Sequence, residues 1–124
     1  MNLNFSQSTG VVSTDSGAIV GKGWAGNGEG KNNPAMQEVH SVGPLPRGVY
    51  SVGQWEENHP GLGPIVAHLT QIQGDAFGRD AFYIHGPAVN PSKYGQESKG
   101  CIVLPREYRL AVKARNPDTI TVTE

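Results

Sequence analysis

Residues 81–105 read AFYIHGPAVNPSKYGQESKGCIVLP, and this stretch constrains the fold more than any other in the chain. Ala81-Phe82-Tyr83-Ile84-His85 is rich in β-formers and stops at Gly86-Pro87, which predicts a strand cut short by a turn. The run 86–97 is rich in Pro, Asn and Gly and suits a loop. Cys101-Ile102-Val103-Leu104 predicts a second strand. Pro105 then stands where a helix can begin, because its missing N–H goes unused in a first turn. Leu104, Tyr108, Ala111 and Val112 fall on one face at helical spacing. Asn116-Pro117 closes the segment, since a residue before proline avoids the helical region. The stretch and its sequel therefore predict a strand, a loop, a strand and one short helix near 105–114.

Working outward, Leu3-Asn4-Phe5, Val11-Val12-Ser13 and Ala18-Ile19-Val20 are short β-type runs between Ser, Thr and Gly turn signals. Gly48-Val49-Tyr50-Ser51-Val52 and the segment 65–72 read as strands, and Thr119-Ile120-Thr121-Val122-Thr123 alternates cleanly. Residues 21–34, GKGWAGNGEGKNNP, sustain neither a helix nor a long strand and read as a loop. The expected class is mainly β with one short helix.

The chain of 124 residues is one domain's worth, 1–124, with no internal repeat or dividing linker. Glycine supplies 17 residues, about twice the usual share, and proline 9. Turns are therefore abundant and long helices are not expected. The net charge is −1 and no basic block stands out, so no nucleic-acid partner is expected. No apolar run approaches the ~18–20 residues of a membrane span, so membrane insertion is not expected either. Met1-Asn2-Leu3-Asn4-Phe5-Ser6 lacks the basic and apolar segments of a secretory signal. The expectation is synthesis in the cytoplasm without a signal peptide. One cysteine excludes an intrachain disulfide framework and a multi-cysteine zinc site.

Three patterns invite a chemical reading. Gly21-x-Gly23-x-x-Gly26 is formally a dinucleotide fingerprint, but that motif needs a helix behind it to meet the pyrophosphate. Asn27-Gly28-Glu29-Gly30 follows instead, and a flexible or bulged loop is the expectation. His40, His59, His68 and His85 lack the short or helical spacings of metal ligands. No metal and no cofactor are expected.

The third pattern is His85-Gly86 followed by Ser98-Lys99-Gly100-Cys101. A thiol of ordinary pKa ~8.5 is only a few per cent thiolate at neutral pH, so a nucleophilic cysteine needs a base or cation beside it. If the two strands are neighbours, the His85 imidazole reaches the sulfur. Lys99 would add positive charge, and amides near Cys101 would form an oxyanion hole. The competing reading makes Cys101 a small buried hydrophobe heading the Ile-Val-Leu strand. The residues alone leave both open.

Ile84-His85-Gly86 followed by Ser98-Lys99-Gly100-Cys101-Ile102 resembles the signature of L,D-transpeptidase catalytic domains. Gly43-Pro44-Leu45-Pro46-Arg47-Gly48-Val49-Tyr50 is similar to a proline–glycine–aromatic segment of that family. Gly23-Trp24-Ala25-Gly26-Asn27-Gly28, Asn33-Pro34 and Gly78-Arg79 resemble a compact subgroup that includes type VI secretion effectors acting on peptidoglycan. The resemblance spans about residues 3–112. It implies an L,D-transpeptidase-like twisted β-sandwich or sheet. It also implies a thiol acyl transfer on peptidoglycan stem peptides, by cleavage after meso-diaminopimelate, D-amino-acid exchange or cross-linking.

By the same resemblance, Cys101 would be the nucleophile, His85 the base, and the Gly86 carbonyl its orienting group. The Gly100 and Cys101 amides would hold the oxyanion. Ser98, Lys99, Arg79, Tyr83 and Arg106 would line or bind substrate, the arginines through its carboxylates. A cognate immunity protein and action in the periplasm of a target bacterium, after delivery by machinery or phage lysis, would follow. Lys99 departs from the histidine usual in the family, and the twelve residues between His85 and Ser98 are slightly fewer than in typical members. The loop 86–97 would therefore cover the site differently. Papain-like enzymes place cysteine before histidine, and sortases space the pair far more widely before an arginine such as Arg106, Arg109 or Arg115 would supply. A non-catalytic β-rich wall-binding or phage structural module is the alternative of a different class.

Overall fold

The computed structural model describes residues 1–87 and 98–124. Among the described residues nine strands form one sheet: β1 Asn2–Ser6, β2 Val11–Thr14, β3 Ile19–Lys22, β4 Trp24–Ala25, β5 Gly48–His59, β6 Gly63–Gly74, β7 Phe82–His85, β8 Ile102–Val103 and β9 Thr119–Thr123. Their order across the sheet is β3-β2-β1-β9-β5-β6-β7-β8-β4. The helix α1, Arg106–Arg115, lies against β3 and β6. Mainly β with one short α-helix, as the sequence predicts, is the observed class.

Period-two patterning builds the core. In β1 and β9 every second residue is buried, so Leu3, Phe5, Ile120 and Val122 face inward while Asn2, Asn4, Thr119 and Thr121 face solvent. β1 and β9 run parallel in register, Leu3 beside Ile120 and Phe5 beside Val122. Tyr50, Leu69, Phe82, Ile84, Ile102, Leu104 and Val112 complete one continuous cluster. Ile84, His85, Ile102 and Val103 are all buried, as expected of a parallel pair covered on both faces.

The edge strands β3 and β4 are separated in sequence by Gly23 alone. The sheet must therefore curl until its two ends meet. Gly10 and Gly23 make the junction: the Gly23 amide donates to the Gly10 carbonyl at 2.9 Å. A Cβ on Gly23 would stand 1.8 Å from the Val103 carbonyl oxygen, so only glycine permits this approach.

Three differences from the sequence reading have physical causes. Residues 21–34 hold the end of β3, all of β4 and two 3-10 turns, Gly28–Gly30 and Pro34–Met36. Backbone pairing of Trp24 with Val103 and Ala25 with Ile102 defines β4, and no periodicity is needed over two residues. The hairpin β5–β6 also runs to twelve residues a side, far beyond 48–52 and 65–72. Its outer half pairs Trp55 with Ala67 and His59 with Gly63 although most of its residues are exposed. The helix begins at Arg106 with Pro105 as its cap, and Asn116 closes it in the left-handed conformation, φ 49°. Residues 88–97, most of the expected covering loop, lie outside the described residues.

Candidate active site

The site is assembled by a parallel strand pair. Ile84 lies beside Ile102 and His85 beside Val103. Side chains alternate along strands, so Tyr83 and His85 share the face opposite to Ile84. Cys101, one residue ahead of β8 and level with Tyr83, falls on that same face. His85, Tyr83 and Cys101 all line one cleft of about 510 Å³. The sulfur and the imidazole, sixteen positions apart in sequence, thus open into a common groove.

His85 is 3% exposed, and its Nδ1 lies 2.9 Å from the Gly86 carbonyl oxygen. A carbonyl only accepts, so Nδ1 carries the proton and the basic lone pair of the neutral ring is on Nε2. Cys101 is 8% exposed, and its thiol donates to the Ala81 carbonyl at 3.6 Å. Burial pushes the Cys101 thiol up to about 11, while the Tyr83 amide, its own amide and the Arg79 guanidinium oppose that rise. The resting group is a thiol at neutral pH. The cation felt at the sulfur is Arg79, where the sequence pointed to Lys99.

Ser98 holds the turn that presents the cysteine. Fully buried, its hydroxyl accepts from the Gly26 amide at 2.9 Å and the Gly100 amide at 3.2 Å, and donates to the Cys101 carbonyl at 2.6 Å. The Asn27 amide donates to the Ser98 carbonyl at 2.8 Å and to the Ser41 carbonyl at 2.7 Å. Ser98 therefore has no reach toward substrate, the role assigned to it from the sequence. The Gly100 amide, expected in an oxyanion hole, is engaged by Ser98 instead. Gly100 adopts φ +126°, and a Cβ there would meet the Arg79 guanidinium at 2.5 Å.

Arg79, 6% exposed, lines the cleft but spends its terminal nitrogens on backbone. They donate to the carbonyls of Gln37 at 2.6 Å, Pro44 at 2.8 Å, Gly43 at 2.9 Å and Lys99 at 3.1 Å. Arg79, expected to meet substrate carboxylates, here joins the 37–44 segment to the turn at Lys99. Arg106 is exposed on α1 and absent from the cleft lining, so its expected contact with substrate has no support in the geometry. Lys99 is exposed at the cleft. Tyr83 also lines it, its ring between His59 at 5.4 Å and His68 at 4.8 Å.

Sequence reasoning missed the opposite walls. His40 and Ser41 contribute one, and the hairpin tip with His59, Gly61 and Leu62 the other, with Asp80 beside Arg79. His40 and His59 were visible only as unspaced histidines, and no local pattern marks residues that a long hairpin carries to a distant strand. Among the described residues, no group of three or more His, Cys, Asp or Glu converges to hold a metal ion. No helix among them is long and apolar enough to cross a membrane.

The fold of this sheet is similar to that of solved L,D-transpeptidases. L,D-transpeptidase 3 from Mycobacterium tuberculosis, solved with a faropenem-derived adduct, superposes with a TM-score of 0.58 at 18% identity, over 99% of this chain and 60% of that one. A variant of the helical cell shape determining protein Pgp2 from Campylobacter jejuni gives 0.64 at 15% identity, over 99% of this chain and 46% of that one. An L,D-transpeptidase from Mycobacterium smegmatis gives 0.52 at 18% identity, over 99% and 58%. The chain thus spans about half to three-fifths of the length of these proteins. No curated protein sequence matches. The Tlde1 domain matches residues 20–121, and the chain belongs to the Tlde1 domain family. That is the family class anticipated from the His85 and Cys101 motifs.

Proposed function

We propose that the protein is a peptidoglycan-modifying cysteine acyltransferase that cleaves stem tetrapeptides after meso-diaminopimelate, exchanges the terminal D-amino acid, or does both. The observation that carries this reading is the meeting of Cys101 and His85 on one face of a parallel strand pair, with the His85 Nδ1 proton committed to Gly86.

In the proposed step, the sulfur attacks the carbonyl that follows the third stem residue. The thiol proton passes to His85 Nε2 as the S–C bond forms, because a thiol raised to about 11 is not ionised beforehand. The amides of Tyr83 and Cys101, which favour negative charge at the sulfur, are the donors this reading assigns to the developing oxyanion. His85 then returns its proton to the amine as the C–N bond breaks and D-alanine leaves. Water or the amine of a D-amino acid attacks the thioester and restores the thiol.

Such activity suits an antibacterial effector acting in the periplasm of a target cell, with a cognate immunity protein that closes the cleft. The family supports that role. A non-catalytic wall-binding module is the second reading, favoured by the nearly buried sulfur. Incubation with muropeptides under reducing conditions, followed by mass spectrometry, separates the two. Loss of terminal D-alanine or its replacement by an added D-amino acid is expected, and Cys101→Ala should abolish it. Intact tetrapeptides with the wild type would defeat the enzymatic reading.

A further inference from the structure

Arg109 is a charged side chain that the proposed chemistry does not use, yet it is 6% exposed and sits behind the histidine. Its Nε donates to the Leu104 carbonyl at 3.0 Å, and one terminal nitrogen reaches the carbonyls of Pro64 and Ile65, the latter at 3.4 Å. The Leu104 amide in turn donates to the His85 carbonyl at 3.0 Å. The guanidinium also packs on the Cα of Gly86: a Cβ at that position would stand 2.6 Å from its central carbon. Gly86 supplies the carbonyl that holds His85 Nδ1 at 2.9 Å.

These contacts close a circuit. The peptide between His85 and Gly86 is fixed through Leu104 on one side and by the flat guanidinium on the other. The Gly86 carbonyl belongs to the next peptide, but the guanidinium lying against the Gly86 Cα limits how far that residue can turn, and the imidazole held on its carbonyl follows it. We propose that Arg109 is a positioning residue for His85: it restrains the Gly86 backbone, and so keeps the imidazole in the tautomer protonated on Nδ1. The geometry also explains why residue 86 is glycine, since any side chain would displace the guanidinium. This inference rests on the proposed role of His85 as the base, but its primary readout needs no substrate.

The test is nitrogen NMR of protein labelled with 15N-histidine, with the His85 signals assigned through His85→Gln. In the wild type, neutral His85 should show a protonated Nδ1 and an unprotonated Nε2. Arg109→Ala should mix the two tautomers, and millimolar guanidinium should restore the wild-type pattern by refilling the space. On muropeptides the same variant should lose about tenfold in kcat with little change in KM, as expected of a misplaced base. Arg109→Lys keeps a cation beside the carbonyls, and it should shift the signals in the same direction should the alanine variant fail to fold. Unchanged His85 signals in either folded variant, whatever its melting temperature, would overturn the assignment. A wild type inactive on muropeptides but with Arg109-dependent His85 signals would defeat the proposed function and leave the positioning role standing.

Discussion

At the scale of single residues, the sulfur's surroundings set its chemistry. Burial raises Cys101 from an ordinary value near 9 to about 11, so alkylation of the free protein by iodoacetamide should keep accelerating from pH 7 toward pH 11. A plateau below pH 8 would show a preformed thiolate. The same shift has a consequence for stability. A thiol whose folded pKa lies above its unfolded one stabilises the fold below about pH 9, and that contribution disappears as pH rises through about 11. Its size is of order 2 kcal/mol for a shift of two units. The urea midpoint of the wild type should therefore fall more between pH 9 and pH 11 than that of Cys101→Ala. Burial also pushes the Tyr50 hydroxyl up, but that acts on both proteins alike.

The identities of His85 and Cys101 were legible because chemistry-bearing residues bordered short β-type runs. The electrostatics were not. Lys99 lies two positions before the cysteine in sequence, whereas Arg79 reaches the same turn from twenty-two positions away and contributes positive charge at the sulfur. Linear proximity is a poor guide to Coulomb distance in a folded sheet.

At the scale of elements, the 98–101 turn depends on one buried hydroxyl. Ser98→Ala would strand the Gly26 and Gly100 amides and the Cys101 carbonyl. Each such loss costs about 1–3 kcal/mol when the group stays buried. The expected outcome is a clear drop in melting temperature, by calorimetry, together with reduced turnover; Ser98→Thr should recover part of both. Wild-type stability in Ser98→Ala would show that water replaces the hydroxyl at no cost.

Strands with alternating burial, such as β1 and β9, could be read directly because one face meets the core and the other meets water. The outer half of the β5–β6 hairpin could not, since in GQWEENHPGLG only Trp55 packs against the core and no residue is fully buried to set an alternation. Its ladder is set by backbone pairing across the turn, and that information is not carried by hydrophobicity. The cleft wall formed by His59, Gly61 and Leu62 stayed hidden for this reason.

At the scale of the whole molecule, the last strand occupies the middle of the sheet. β9 lies between β1, to which it runs parallel, and β5, to which it runs antiparallel. Removing residues 119–124 would detach β1–β3 from the hairpin and expose Leu3, Phe5 and Tyr50, all fully buried in the intact fold. Such a truncation should lack a cooperative thermal transition and be cut rapidly by trypsin. A cooperative melt would mean that β1 can pair with β5 directly. The arrangement is non-local, so folding should wait for β9 to join β1 and β5.

The strand order finishes at both sides in short elements, four residues in β3 and two in β4, which Gly23 draws together. Unsatisfied amides along a sheet margin are the template for amyloid-like stacking, and brevity is one of the ways proteins deny that template. These two margins offer a neighbour little rail on which to polymerise; among the described residues the longer one is β5 beyond Val52, which pairs with β6 alone, and any thioflavin-positive fibrils of concentrated preparations should start there.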